Sequence, residues 1–173
     1  MVCLAENKRN LNYARGLKMK KVEYEIRPLK LHEWEIAMQL AWDTFLIYEA
    51  PEYSKEGIKN FEDFVKDPRL KEMYVNGSFS TLGAFSEETI IGILGTRGQH
   101  ISLLFVDPVY HHQGVASTLL KSYFTMMKAL GCDKLTVNSS PYAVTFYKKL
   151  GFTKISQELY KDGIRYTPMK IDF

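Results

Sequence analysis

The sequence predicts an α/β (α+β) fold in which a mixed, mostly antiparallel central sheet is flanked by helices. The first observation behind this prediction is a run of three strand patterns with short polar or glycine-containing joints. They cover residues 79–86, 89–97 and 99–107, a spacing typical of an antiparallel meander. The second observation is a long amphipathic helix pattern on each side of that run, at residues 31–48 and 114–130. Because helix and strand patterns follow one another along the chain, we expect one sheet with helices packed against it.

The first third of the chain is predicted to form one strand and then helices. Residues 22–28 alternate in strand fashion and stop at a proline. Between residues 31 and 48 apolar side chains recur every three or four positions, which places them on one buried stripe. Ser54 is suited to cap a second helix, which Pro68 ends, and a short helix is expected over residues 69–75.

The last of the three central strands is predicted to lie in the middle of the sheet. Residues 101–106 are apolar on both faces, which is the pattern of a strand that is covered on both sides. Downstream, the helix at residues 114–130 is expected to stop at Gly131, and residues 134–138 form a short strand.

The C-terminal part is predicted to form a short helix and a closing hairpin. The helix covers residues 141–150, and the hairpin joins strands at residues 152–160 and 164–171 through a three-residue turn. Pro168 lies inside the last strand. It predicts an edge strand or a bulge, because proline has no N–H group to donate.

Composition places the chain among folded globular proteins. Of the 173 residues, 46% are apolar and 25% are charged, which excludes disordered and low-complexity classes. No apolar run is long enough to cross a bilayer. The net charge of +3 is too small to indicate a nucleic-acid partner by itself. We therefore expect no nucleic-acid partner and no membrane partner.

The N-terminal end is expected to lie outside the folded domain. Residues 1–20 are polar and basic and lack the apolar segment of a secretory signal, so we predict a disordered extension there. A single domain is expected over residues 21–173. Cys3 and Cys132 form no disulfide framework, which fits a reducing compartment, and the predicted location is cytoplasmic.

One junction in the sequence carries a chemical signal. A buried strand ends near Val106, a short loop follows, and a long helix begins at Gly114, with Ala116 two residues later. Amide groups in the first turn of a helix lack internal partners, and the helix dipole adds partial positive charge there. Small residues let a phosphate approach this backbone, so the junction predicts an anion site, most simply for a pyrophosphate. An ordinary strand–loop–helix joint is the alternative.

Two motifs resemble those of the GNAT superfamily of N-acetyltransferases. Residues 111–116, which read His-His-Gln-Gly-Val-Ala, are similar to the acyl-CoA-binding motif Gln/Arg-x-x-Gly-x-Gly/Ala, with histidine at the first position. Residues 137–152 are similar to a later motif, in which an Asn ends a strand, a Tyr follows on the next helix, and the helix closes at Gly-Phe. The resemblance covers residues 22–173. It implies the GNAT acyl-CoA N-acyltransferase fold, with acetyl-CoA as co-substrate and no metal.

The resemblance also implies roles for individual residues. Backbone groups at Leu104, Phe105 and Val106 would bind the acetyl carbonyl and the pantetheine arm, and the Leu104 amide would stabilise the developing oxyanion. The loop and first helical turn would wrap the pyrophosphate through His111, His112, Gln113, Gly114, Val115, Ala116 and Ser117. Asn138 would hydrogen-bond the pantetheine, with a strand-ending turn residue as the alternative. Tyr147 would lie near the sulfur as general acid, with a core tyrosine as the alternative.

The reaction that the resemblance implies needs a base. A lysine-like amine has a pKa of about 10.4, so freeing it at pH 7 costs about 4.6 kcal/mol. His100 is the first candidate, because histone-type members of the family carry a glutamate base at the corresponding place and neutral histidine has a suitable pKa. A surface histidine at a strand end is its alternative. Glu49, near the end of the first helix, is the second candidate, with a solvated helix end as the alternative.

The acceptor is predicted to be a small amine. An acidic rim along residues 31–67 would attract a cationic one, such as a polyamine, an aminoglycoside or a lysine side chain, unless these acids only solvate helix faces. The acidic residues are Glu33, Glu35, Asp43, Glu49, Glu52, Glu56, Glu62, Asp63 and Asp67. The rival functions are a non-catalytic acyl-CoA-binding regulatory module and an acetyltransferase that acts on a protein amine. A homodimer is compatible with the family by analogy alone.

Overall fold

Eight strands form one sheet in the computed structural model, which describes residues 22–173. The predicted extension over residues 1–20 lies outside the described residues. The strands are β1 (Glu25–Pro28), β2 (Ser80–Ser86), β3 (Thr89–Arg97), β4 (His100–Val106), β5 (Lys134–Ser139), β6 (Thr153–Lys154), β7 (Leu159–Lys161) and β8 (Ile164–Asp172).

The strand order is β1-β2-β3-β4-β5-β8-β6, with β7 also paired to β8. Every pairing in the described chain is antiparallel except that between β4 and β5, which is parallel. The mixed, mostly antiparallel sheet is therefore confirmed. The central position of β4 is confirmed as well, since this strand lies between β3 and β5.

Helices cover both faces of the sheet. They are α1 (Trp34–Tyr48), α2 (Lys55–Lys66), α3 (Pro68–Val75), α4 (Val115–Ala129) and α5 (Val144–Lys149). The first three pack on one face with Leu103 and Phe105 of β4. Helices α4 and α5 cover the other face with Ile101 and Val106. The cap predicted for α2 is present, since the Ser54 hydroxyl accepts a hydrogen bond from the Gly57 amide at 3.2 Å.

Strands β4 and β5 diverge after a short contact. They pair only at His100 with Thr136 and at Ile101 with Val137, so the rest of β4 has no strand partner on that side. Ser102 is an extra residue opposite β3, because Leu103 pairs with Gly95 and Ile101 pairs with the next residue of β3. The divergence of β4 from β5 and the bulge at Ser102 together open the sheet next to the β4–α4 junction.

The closing hairpin differs from its prediction. The segment expected as one strand is divided into β6 and β7, which pair with different parts of β8. Pro168 was expected at an edge or a bulge, but β8 is internal, with β5 on one side and β6 and β7 on the other. The Pro168 carbonyl accepts from the Ile155 amide at 2.8 Å. The Pro168 nitrogen, which has no hydrogen to donate, lies on the same side of β8 as this carbonyl. Between β6 and β7 no strand is paired with β8 there, so the sheet loses no backbone hydrogen bond.

The β7–β8 turn docks on the start of α2. The Gly163 carbonyl accepts from the Ser54 amide at 3.3 Å, and the Asp162 carbonyl accepts from Asn60 Nδ2 at 2.8 Å. A Cβ atom at Gly57 would lie 2.2 Å from the Gly163 oxygen, so only glycine allows this approach. The turn therefore forms one wall of the opening beside β4. None of the helices among residues 22–173 is long and apolar enough to cross a membrane.

Candidate active site

A cleft of about 530 Å³ lies between the end of α1, strand β4, the start of α4 and helix α5; we call it the α4 cleft. Most of the residues predicted to bind the cofactor line it. They are Leu104, Phe105, Val106, His111, His112, Gly114, Val115, Ala116, Ser117 and Tyr147. The β4–α4 junction and the later motif therefore meet at one cavity, although they are separated by a helix in the sequence.

Two residues predicted to bind the cofactor do not line this cleft. The Gln113 side chain accepts from the Val22 amide at 3.2 Å and donates to the Val109 carbonyl at 3.3 Å, so it ties the segment before β1 to the loop. Asn138 lines the neighbouring cavity described below. Their predicted contacts with the cofactor stay predictions.

Helix α4 begins with its amide groups uncapped. Gly114 has φ 86° and ψ 0°, a left-handed conformation that glycine adopts without strain. No side chain caps this end, and the first turn carries no acidic residue. The positive end of the helix dipole therefore faces the α4 cleft, where it favours an anion. Lys149, at the end of α5, lines the same cleft and adds a formal positive charge.

His111, which stands at the Gln/Arg position of the motif, turns into the wall of the cleft. Its Nε2 atom lies 2.7 Å from the Val106 carbonyl, and its ring contacts the Tyr48 ring in a tilted arrangement with 4.8 Å between the centroids. Burial lowers the pKa of His111 more than the Val106 carbonyl raises it. The ring is therefore neutral at pH 7, and the positive field in the cleft comes from the helix end and Lys149.

A second cavity of about 730 Å³ opens on the other side of β4; we call it the α2 cavity. Helix α2, the diverging strands β4 and β5 and the β7–β8 turn enclose it. Residues that line both cavities mark where the two meet: Glu49, Leu104, Phe105, Ala143 and Tyr147. A molecule in one cavity can therefore reach a molecule in the other through the gap between β4 and β5.

Glu49 stands at this meeting point because α1 ends there. Pro51 cannot continue the helix, and residues 50–52 form a single 3-10 turn instead. Burial raises the pKa of the Glu49 carboxyl to about 7, although the hydroxyls of Ser140 and Tyr53 lower it. A carboxyl group that changes charge near neutral pH can act as a general base.

Tyr147 lies opposite, on α5. Its side chain is buried, and burial together with the charge of Glu49 raises the pKa of its hydroxyl. Tyr147 therefore keeps its proton at neutral pH. It can donate a hydrogen bond to an atom that gains negative charge in the gap.

The domain model described as "Acetyltransferase (GNAT) domain" matches residues 49–173. The chain belongs to the GNAT acetyltransferase family. Among curated relatives, N-acetyltransferase YafP of Escherichia coli is 37% identical over 68 residues, which are 39% of this chain and 42% of that protein. The glucosamine 6-phosphate N-acetyltransferase of Trypanosoma brucei brucei is 32% identical over 63 residues, 36% of this chain and 43% of that protein. The chain thus spans less than half the length of these relatives.

Solved structures share the GNAT fold over most of the chain. A GCN5-related N-acetyltransferase from Rhodopseudomonas palustris superposes with a TM-score of 0.77 at 22% identity, covering 91% of this chain and 100% of that one. The PaiA N-acetyltransferase from Thermoplasma acidophilum, in complex with coenzyme A, gives a TM-score of 0.72 at 23% identity, covering 87% and 99%. The predicted GNAT fold is confirmed.

His100 lies at the far end of the α2 cavity in this GNAT domain. It starts β4, so about 13 Å of extended chain separates it from Leu104. Its Nδ1 atom lies 2.9 Å from the Thr136 hydroxyl, and burial, with a smaller effect of Arg97, lowers its pKa. His100 does not line the α4 cleft, whereas Glu49 lines both cavities.

The predicted acidic rim is mostly an outer surface. Among the nine acidic residues, only Glu49 and Glu56 line the α2 cavity. Six others form ion pairs with basic side chains: Glu33, Glu35, Glu52, Glu62, Asp63 and Asp67. The cavity also holds Arg97 and Lys161, so both signs of charge are present.

Sequence reasoning missed several residues that the fold brings to the site. Lys149 had a detectable signal, since it lies three residues after Phe146 and both share one face of α5 in the α4 cleft. Tyr53 carries no distinctive signal, because an aromatic residue next to a helix is more often part of the core. Ser140 was not predicted, because a serine before a proline ordinarily marks a turn. In residues 22–173 no three histidine, cysteine or carboxylate side chains cluster so as to hold a metal ion.

Proposed function

We propose that this GNAT protein transfers an acetyl group from acetyl-CoA to a primary amine by direct attack. The observation that carries the proposal is the meeting of the two cavities at Leu104, Glu49 and Tyr147. The α4 cleft ends at uncapped helix amides suited to a diphosphate, and the α2 cavity is large enough for a small amine.

Different groups of the α4 cleft and β4 would bind different parts of acetyl-CoA, the acetyl donor. The amides of residues 112–117, with Lys149, would hold the diphosphate. The unpaired side of β4 would hold the pantetheine arm, and the Leu104 amide would stabilise the negative charge that forms on the acetyl oxygen. This assignment rests on the divergence of β4 from β5, which frees backbone groups at the required place.

On the acceptor side, Glu49 would take the amine proton. As the new N–C bond forms, the C–S bond breaks, and the N–H proton passes to the Glu49 carboxylate. Tyr147 would donate a hydrogen bond to the departing sulfur. Because the pKa of Glu49 is about 7, the carboxylate is ionised in a large fraction of molecules at pH 7 to 8. Its position in both cavities makes it a better-placed base than His100.

A free-thiol release assay with acetyl-CoA and a panel of primary amines tests the proposal. The panel contains spermidine, an aminoglycoside, glucosamine 6-phosphate, an aromatic amine and a lysine peptide. Turnover on at least one amine, with mass spectrometry that places the acetyl group on nitrogen, would support the proposal. Binding of coenzyme A without turnover on any of them would favour a non-catalytic acyl-CoA-binding module. Turnover on the peptide alone would favour a protein acceptor. A cytoplasmic location and a homodimer stay predictions.

Tyr147→Phe is expected to lower kcat about 10-fold or more while changing KM for acetyl-CoA less than twofold. The variant removes the proposed donor to sulfur and keeps the ring that packs at 5.2 Å on Phe152. Steady-state kinetics with a saturating amine measure both constants. An unchanged kcat would show that Tyr147 is not the general acid. A large rise in KM for acetyl-CoA alone would indicate that Tyr147 binds the cofactor.

A further inference from the structure

Two hydroxyl-bearing residues near Glu49 have no task in the mechanism proposed above. Tyr53 follows the turn at the end of α1, and Ser140 follows the end of β5. Both line the α2 cavity together with Glu49. Each acts to lower the pKa of the Glu49 carboxyl, against the larger raising effect of burial. Both hydroxyls therefore favour the ionised carboxylate.

The backbone of Ser140 is held on two sides. Its carbonyl accepts from the Ser139 hydroxyl at 2.9 Å and from the Ala143 amide at 3.0 Å, and Pro141 restricts it to an extended conformation. The residue is only 6% exposed. Even so, Ser140 Oγ makes no well-formed hydrogen bond among residues 22–173, although it lies close enough to the Glu49 carboxyl to lower its pKa. A buried hydroxyl without a hydrogen-bond partner lowers the stability of the fold, so we expect the Ser140 hydroxyl to have a role beside Glu49.

Tyr53 is also fixed in place. Its amide donates to the Ala50 carbonyl at 3.1 Å, and its ring packs at 5.6 Å on Phe45. Burial and the charge of Glu49 raise the pKa of its hydroxyl, so Tyr53 stays protonated and acts as a donor. Arg165 and Glu158, paired at 2.9 Å, act on the Tyr53 pKa in opposite directions.

We propose that Tyr53 and Ser140 are positioning residues that hold the Glu49 carboxylate ionised at the gap, ready to receive the proton of the acceptor amine. The inference rests on the proposed function. A carboxylate accepts hydrogen bonds at about four lone-pair positions, so two hydroxyl donors leave room for the N–H group of the attacking amine. Tyr147, from α5, is the further titratable group that faces Glu49, and it is neutral at working pH. In the chemical step an N–H bond breaks and an O–H bond forms on Glu49.

The test compares Tyr53→Phe, Ser140→Ala and the double variant with the wild-type enzyme from about pH 5.5 to 9.5. The ratio of variant to wild-type kcat/KM cancels the titration of the amine itself. Each single variant is expected to raise the pKa of Glu49 by about one unit, because one donor to the carboxylate is lost. The ratio should then be about 0.1 at pH 6 and approach 1 near pH 9. The double variant should show a larger shift.

Two control variants remove a hydroxyl group at positions that line neither cavity. Thr81 is another buried hydroxyl without a partner, and the Tyr74 hydroxyl donates to the Leu29 carbonyl far from either cavity. Thr81→Val and Tyr74→Phe are expected to give ratios that do not change with pH. Ratios that are equally flat for Tyr53→Phe and Ser140→Ala would overturn the positioning role, whatever their size.

A second readout does not need turnover. Carbon-13 NMR of labelled glutamate carboxyls, with Glu49→Gln to assign the Glu49 signal, gives the Glu49 pKa directly. An upward shift in both variants supports the inference even if no amine is acetylated, in which case the proposed function alone fails. An unchanged Glu49 titration in both variants overturns the inference even if the enzyme is active.

Discussion

Glu49→Gln is expected to lower kcat/KM for the amine by about 100-fold or more at pH 8. Glutamine keeps the size and hydrogen-bonding capacity of the side chain but cannot accept the proton. In the wild-type protein, activity should fall as pH drops through about 7, because the Glu49 carboxylate becomes protonated there. In the variant this acidic limb should be absent. A pH profile of kcat/KM from about 5.5 to 9.5 measures both effects.

The same substitution is expected to stabilise the fold at high pH. The pKa of Glu49 rises on folding from an ordinary value of 4.5 to about 7, so the buried charge costs the folded state. This cost is absent below pH 4.5, grows between pH 4.5 and about 7, and stays constant above that, at about 1 to 3 kcal/mol for this partly exposed side chain. Thermal unfolding at pH 8 should show a higher Tm for Glu49→Gln, with little gain at pH 4.5.

His100→Ala is the contrasting variant. If the acidic limb persists in Glu49→Gln and disappears in His100→Ala, the base is His100 and the role proposed for Glu49 is wrong. A loss of Tm in Glu49→Gln at every pH would instead indicate that its low activity reflects damaged folding.

Ser117→Glu is expected to raise KM for acetyl-CoA about 30-fold or more while leaving the fold intact. Ser117 lies in the first turn of α4 and lines the α4 cleft. A carboxylate there would satisfy the positive helix end, which stabilises a helix by about 0.3 to 1 kcal/mol. The same carboxylate would repel a diphosphate at close range. Binding and stability should therefore change in opposite directions, as measured by calorimetric titration with coenzyme A and by Tm.

Two further variants test whether the effect of Ser117→Glu on coenzyme A binding comes from its charge, its size or its position. Ser117→Gln adds a similar volume without charge and should weaken binding less than Ser117→Glu. Thr125→Glu adds the charge on an exposed part of the same helix and should leave KM for acetyl-CoA unchanged. Equal effects of Ser117→Gln and Ser117→Glu would contradict an anion site at the start of α4.

Much of the fold could be predicted from local patterns. The three central strands are separated by short turns, and the apolar stripe of α1 and the Ser54 cap of α2 are local features with known structural meaning. The division of the last hairpin could not be predicted in this way. It depends on β8 pairing with β6 and β7 at different places, and Pro168 fits only because the partner strand is interrupted beside it.

The site was predictable where the residues lie together in sequence. The loop and the first turn of α4 form one wall of the α4 cleft, as the motif implies. Contacts between distant segments were not predictable. Tyr53 and Ser140 come close to Glu49 because the chain turns at residues 50–52 after α1 and because β5 diverges from β4. The divergence depends on how distant strands pair, which local patterns do not show. The divergence also explains why Glu49 lies between the cavities while His100, at the paired end of β4, does not.

A crystal structure of the protein with coenzyme A bound would locate the donor site. We expect the diphosphate against the amides of residues 112–117, with the sulfur in the gap between β4 and β5 beside Tyr147. Coenzyme A bound elsewhere, or a cleft filled by protein side chains at saturating ligand, would show that the α4 cleft is not the donor site.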